Sequence, residues 1–200
     1  MPQIPEREFE ELPLRVHDIL ADVPLHDVWA VDLPRPRPGI TLDEFLRVTS
    51  ARLYTPSPVV RGLLDLRLFV GRLFGWDSTP PKAVSETFAD RLTPADRASS
   101  LTPAGVRERP DSVFRVVYRF ENEQLNELIN RTAHAAALSA LMETARSYRF
   151  YFAVYVRNVG RLTPLYMALI DPFRKLIVYP SLLHSVRATW NETVGARQLR

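Results

Sequence analysis

Few side chains in this chain can do chemistry, and their types already exclude several classes of reaction. There is no cysteine, which removes disulfide frameworks, thiolate zinc sites, iron–sulfur clusters and thiol nucleophiles. The four histidines, His17, His26, His134 and His184, never fall at metal-ligand spacing with one another, so no metal is expected. A Gly-x-Ser-x-Gly elbow and a phosphate-cradling glycine loop are both missing, and 7 glycines are a small supply for either. What remains is acid–base work, for which His134 and Tyr118 are the candidates, one polar group acting inside an apolar pocket. His134 also reads as a hydrogen-bonded core or edge histidine. Glu127, Arg131 and Arg157 could anchor a ligand carboxylate or phosphate through bidentate contacts, or could lie on the solvent faces of their strands. A one-residue bulge swaps those faces, so the sequence leaves the choice open.

The elements that must position these groups follow from periodicity. Asp27 to Leu33 alternates as a first strand, stopped by Pro34, Pro36, Pro38 and Gly39. Thr41, three residues before Glu44, has the spacing of a capping box and predicts a helix to about Leu53. A second helix is expected from Pro58 to Phe74, with an apolar face too broad for a simple surface helix. Residues 77–112 are rich in Pro, Ser and Thr, and Val84 to Phe88 and Leu101 to Glu108 read as short strands. From Val113 the period becomes two. Strands are expected at Phe114 to Phe120, Leu125 to Thr132, His134 to Thr144 and Tyr148 to Arg157, with turns at Glu121 to Glu123 and Ala145 to Ser147. That is an antiparallel meander. A helix from Leu162 to about Asn191 follows; it carries Pro164, Pro172 and Pro180 and should be kinked. Thr163 and Asp171 read as caps on either side of the break.

With 200 residues, 46% hydrophobic and 24% charged, the chain can build one self-sufficient core. The net charge of +3 is unevenly spread. Residues 1–12 read as a solvated acidic arm, whereas the last third is Arg-rich, which fits a solvated outer face better than a nucleic-acid surface. No basic, apolar leader opens the chain, so a cytoplasmic location is expected. Arg61 to Trp76 mixes Arg with Leu, Phe and Trp as interfacial helices do, which makes weak contact with a membrane surface a further reading.

On the His134 strand both faces are small: His134, Ala136, Leu138, Ala140 and Met142 on one, Ala133, Ala135, Ala137, Ser139 and Leu141 on the other. Such a strand leaves volume that a helix or a ligand must fill. Neighbouring strands offer Tyr118, Phe120, Phe150, Tyr151, Phe152 and Tyr155, so the same pattern reads as a ligand pocket or as an ordinary aromatic core.

Two stretches carry a family resemblance. Gly160-Arg161 through Tyr166 to Pro172-Phe173-Arg174-Lys175-Leu176-Ile177-Val178, together with Val59 to Trp76, resembles the bacterial DUF2867 family, with Arg174 standing where histidine is common. That family is similar to the START-like (SRPBCC) superfamily. The resemblance implies an α+β helix-grip fold, a curved antiparallel sheet wrapped around a long, kinked C-terminal helix. It also implies one domain over residues 25–192, between an acidic arm at 1–24 and a tail at 193–200. An apolar cavity would lie between sheet and helix, lined by Tyr118, Phe120, His134, Leu138, Phe152, Tyr155, Arg157 and Tyr166. Members of the family can be fused to a dinucleotide-binding domain. This chain lacks the Gly-x-Gly-x-x-Gly turn of that domain, so no cofactor is expected here. Two functions follow: binding of a small hydrophobic or amphipathic ligand, or cyclase/dehydratase-type chemistry on one. A third is an accessory role beside a dinucleotide-binding oxidoreductase.

Overall fold

The computed structural model describes residues 3–53, 86–108, 112–130, 133–160 and 162–198. The expected helix at Pro58 to Phe74 and the membrane reading of Arg61 to Trp76 lie outside the described residues, as does Arg131.

The alternating runs form a five-stranded antiparallel sheet: β1 (Leu25–Pro34), β2 (Arg115–Arg119), β3 (Glu123–Ile129), β4 (His134–Glu143) and β5 (Ser147–Arg157). β2 to β5 follow one another as the expected meander. The first strand returns beside the last, giving the order β1-β5-β4-β3-β2. The connections are short because the meander needs only tight turns. Phe120 N–H donates to Glu123 O (2.8 Å), and Thr144 N–H to Ser147 O (2.8 Å).

Both faces of the sheet are covered. One carries Val28, Ala30, Tyr118, Leu125, Leu138, Ala153 and Tyr155 and packs against Ile4, Phe9, Val16, Leu20, Phe88 and Leu92. The acidic arm is therefore not solvated. Helices α1 (Glu6–Glu10) and α2 (Val16–Ile19) hold their carboxylates outward while Phe9 and Val16 are fully buried, burial that offsets the cost of ordering so short a segment. Nor does the described part of 84–108 form strands. Phe88–Arg91 is a 3-10 turn and α4 is Pro94–Ser99. Both start at capping boxes, Thr87 with Asp90 and Thr93 with Asp96, which satisfy backbone donors that a strand would leave for a partner.

The opposite face carries Trp29, Val31, Phe150, Val154 and Leu141 and packs against α3 (Leu42–Leu53) and the C-terminal helix. Glu44 N–H donates to Thr41 Oγ1 (3.2 Å) at the start of α3, as the capping spacing predicts. The C-terminal helix accommodates its prolines by widening. After α5 (Leu162–Phe173) comes a π-helical turn, Arg174–Val178, and then α6 (Tyr179–Gln198). Pro172 and Pro180 lack the N–H that an α-helix uses and crowd the carbonyl four residues back, so one wide turn between them keeps the helix continuous. Tyr179 N–H accordingly donates to Arg174 O. Val194 is still core, so the packed helix extends past 192.

The sheet edges are not bare. Ile4 N–H donates to Val28 O (3.1 Å) along β1, and Gln3 bridges Trp29. At the other edge Leu101 N–H donates to Arg119 O, Gly105 N–H to Val116 O, and Val116 N–H to Val106 O. Among the described residues no helix is long and apolar enough to cross a membrane.

Candidate functional site

The sequence-derived candidates lie on different sides of the sheet. Tyr118, His134, Leu138 and Tyr155 are buried on the face covered by the N-terminal segment, and Phe120 packs beside them, its ring stacked 4.5 Å from that of Tyr118. Phe152 lies on the helix-facing side. Arg157 is half-buried and pairs in register with His134. The side chain of Tyr166 lies outside those described.

On the N-terminal side the polar groups fasten segments to the sheet. Glu123 Oε1 accepts from Arg15 N–H (2.6 Å) and its Oε2 from Val16 N–H (3.4 Å) and the Tyr118 hydroxyl (3.0 Å), so it caps α2 from across the chain. Burial raises the Glu123 carboxyl above its ordinary range, and burial with the nearby Glu123 raises Tyr118 well above a normal phenol. Glu127 Oε2 accepts from Phe88 N–H (2.9 Å) and stands 3.4 Å from His134 Nε2. The His134 ring stacks on Phe88 with centroids 3.8 Å apart. Glu123, Glu127 and Tyr118 are engaged by their neighbours, and His134 is held through Nε2 and its ring stack, while its Nδ1 has no partner among the described residues.

The helix-facing side holds a different constellation, at the start of β1. β1 is bulged: Leu25 pairs with Tyr155 and Asp27 with Val154, so His26 is inserted. A bulge re-aims side chains, and here consecutive residues both reach the C-terminal helix. His26 Nε2 lies 2.9 Å from both carboxylate oxygens of Asp171, while Asp27 Oδ2 accepts from Arg174 (3.2 Å). Arg174 also donates to Asp171 Oδ1 (3.0 Å) and, through Nε, to the Tyr179 hydroxyl (2.6 Å). Asp171 is thus turned toward β1 and does not cap a new helix, because the helix continues through it.

The Tyr179 ring sits against Trp29 (5.7 Å) and Phe152 (5.4 Å), with the Arg174 guanidinium 5.0 Å above it. Burial dominates the electrostatics. It raises the Asp27 carboxyl above its usual range despite Arg174, and raises the Tyr179 phenol. Burial acts in the same sense on Asp171, but the His26 hydrogen bond and the charges of His26, Arg174 and Lys175 outweigh it and hold this carboxyl low.

From this cluster a row of register partners crosses the helix-facing side: Trp29, Phe152, Ser139, Gln124 and Arg119. The next row is Asp27, Val154, Ala137 and Asn126. Phe152, Ser139, Ala137 and Asn126 are only half-buried. At the far end Arg119 Nε donates to Gln124 Oε1 (2.6 Å) and its Nη1 to Asp43 Oδ1 (3.1 Å). The middle of this surface mixes apolar Phe152, Val154 and Ala137 with small or neutral polar Ser139 and Asn126, and ion-paired arginines stand at both ends. No group of three or more His, Asp or Glu among the described residues could hold a metal ion.

His26, Asp27, Trp29, Asp171 and Tyr179 escape sequence reasoning because a bulge and a wide helical turn bring them together. The one local signal was an aspartate, Asp27, at alternate spacing with the apolar Trp29, Val31 and Leu33.

A protein-family model described as "Protein of unknown function (DUF2867)" matches residues 19–181. The chain belongs to the DUF2867 family. The DUF2867 match spans β1 with its bulge, the whole meander and the Arg174–Tyr179 turn, and so contains the complete cluster. No curated protein and no solved structure matches this DUF2867 chain.

Proposed function

We propose that the chain binds a small apolar or amphipathic molecule, lipid-like or polyketide-like, on the helix-facing side of its sheet, as a START-like helix-grip protein of the bacterial cytoplasm. The observation that carries this reading is the row Trp29–Phe152–Ser139–Gln124–Arg119 with its half-buried centre. Ligand sites combine an apolar wall with a few fixed polar groups. Phe152, Val154 and Ala137 supply the wall, and the Asp27–Arg174–Tyr179 cluster supplies polar groups already locked in place.

The small face that matters on β4 is Ala135, Ala137 and Ser139. Ala136 is fully buried on the other side, in the cluster that contains Phe88. Cyclase or dehydratase chemistry, the alternative, would draw its proton-handling group from Asp27 or His134, each of which keeps one unpartnered polar atom among the described residues, rather than from Tyr118, whose hydroxyl is bonded to Glu123.

Native mass spectrometry of the purified chain, with organic extraction of whatever accompanies it, tests the binding reading. A co-purifying apolar molecule lost in a folded Ala137→Trp variant is the expected result. Undiminished uptake by that variant overturns it.

A further inference from the structure

Two polar atoms of the cluster are left over. Among the described residues neither Asp27 Oδ1 nor Trp29 Nε1 has a hydrogen-bond partner, although both are shielded from solvent. Their residues are 1% and 6% exposed. His17 Nε2, His134 Nδ1 and Arg149 Nε are likewise without a hydrogen-bond partner among the described residues, and each such atom needs an explanation; those three lie apart from one another, on other elements. Here two occur two residues apart on one strand, on the same face, and both side chains converge on Tyr179: Trp29 by ring contact, Asp27 through the Arg174 that bonds the Tyr179 hydroxyl.

The remaining groups define what chemistry could satisfy them. Arg174 is committed to Asp27 Oδ2, Asp171 Oδ1 and Tyr179. Lys175 lies 3.5 Å from Asp171, and His26 faces the same carboxylate. The cations are therefore spent on carboxylates, and an incoming anion would meet the lone oxygen of Asp27. A cation would satisfy that oxygen but not the Trp29 N–H, which can only donate. A neutral group that donates and accepts at once satisfies both.

Resting on the binding function above, we infer that the ligand presents an uncharged hydroxyl or primary amide to Asp27 Oδ1 and Trp29 Nε1, with its apolar part along Phe152 and Ala137. The head group donates to the carboxylate oxygen and accepts from the indole N–H. Selectivity comes from polar atoms that a wrong head group leaves unpaired.

The test uses the full chain and four probes sharing one straight alkyl tail: a primary alcohol, a primary amide, a carboxylate and an alkylammonium. Binding is followed by titration calorimetry near neutral pH. Neutral heads enter any apolar site more readily, so the decisive quantity is the change in preference on substitution. In Asp27→Asn the new amide keeps its oxygen toward Arg174 and turns a donor to the ligand. The alcohol-to-carboxylate preference then falls by about tenfold, the equivalent of one hydrogen bond of ~1.4 kcal/mol. Trp29→Phe, which retains the ring, weakens alcohol and amide several-fold and leaves the ammonium unchanged. Preferences identical to wild type in both variants, each folded by circular dichroism, overturn the inference and leave the binding function standing. Failure of all four probes to bind overturns both.

Discussion

Arg174 and Tyr179 stand five residues apart, yet the guanidinium Nε donates to the phenol at 2.6 Å. At the pitch of an α-helix these side chains would lie roughly 140° apart around the cylinder. The π-turn between Pro172 and Pro180 closes that gap. It lets one arginine join two aspartates and a tyrosine, so the extra backbone residue is what assembles the cluster. π-Bulges often occur at functional sites for this geometric reason.

Arg174 should be hard to replace. Arg174→Met leaves the buried Asp27 carboxylate without its counter-charge and should cost roughly 3–5 kcal/mol. Arg174→Lys keeps a charge but loses the planar fork and should recover only part of that. Urea unfolding at neutral pH measures both; equal stability of the three proteins would show that the network contributes nothing.

Two aspartates should titrate stability in opposite directions. Burial raises Asp27 from 3.8, so the folded state holds this proton more tightly than the unfolded chain. Stability from that proton is complete below 3.8 and is lost as pH rises through the folded value. The advantage of Asp27→Asn over wild type should therefore grow with pH. Asp96 is the reverse: the Arg15 hydrogen bond, then Thr93, lower it from 3.8 to about 2 against the burial that opposes them. Its contribution is present above 3.8 and disappears as pH falls toward 2. Thermal melts of wild type, Asp27→Asn and Asp96→Asn across the acid range give both slopes, and slopes of equal sign would contradict the assignment.

Glu123 should matter for structure more than any residue of its strand. Glu123→Ala strands the Tyr118 hydroxyl and the N–H groups of Arg15 and Val16, costing roughly 2–4 kcal/mol. Glu123→Gln keeps an acceptor and should cost less. Amide hydrogen exchange in residues 14–20 should accelerate in the alanine variant first; unchanged protection there would remove the capping role.

His134→Phe should be nearly neutral, within about 1.5 kcal/mol, because an aromatic ring of similar shape keeps the stack on Phe88. Glu127 retains its bond from Phe88 N–H. A folded variant that loses ligand would instead place His134 in the site.

The meander and α3 were legible because alternation and a Thr–Glu capping spacing are local signals. The packed N-terminal segment was not. Ile4 and Phe9 are single apolar residues among acids, and only the sheet face they cover gives them a partner. The Thr87–Asp90 and Thr93–Asp96 spacings did announce two helical starts, and the Pro- and Ser-rich surroundings hid them. For the site, Phe152 and Arg174 were within reach, the former from strand patterning and the latter from a family motif. Phe152 and Tyr155 share one pocket in the sequence-based expectation, yet strict alternation along the unbroken β5 puts them on opposite faces. The cluster itself was hidden by the bulge beside His26 in β1. No period in the sequence reports such an insertion.

The pairing of Gln3 and Ile4 with β1 has a practical bearing on how the chain is handled. A fragment beginning at Leu25 would lose the Gln3 bridge and the Ile4 bond at Trp29 and Val28, the middle of its edge strand, and would uncover the aromatic wall of Tyr151 and Tyr155. Strands in that condition recruit other strands. Trimming the acidic leader to tidy an expression clone would thus produce a self-adhesive protein, and a bulky N-terminal fusion would sit directly over the seam that prevents it.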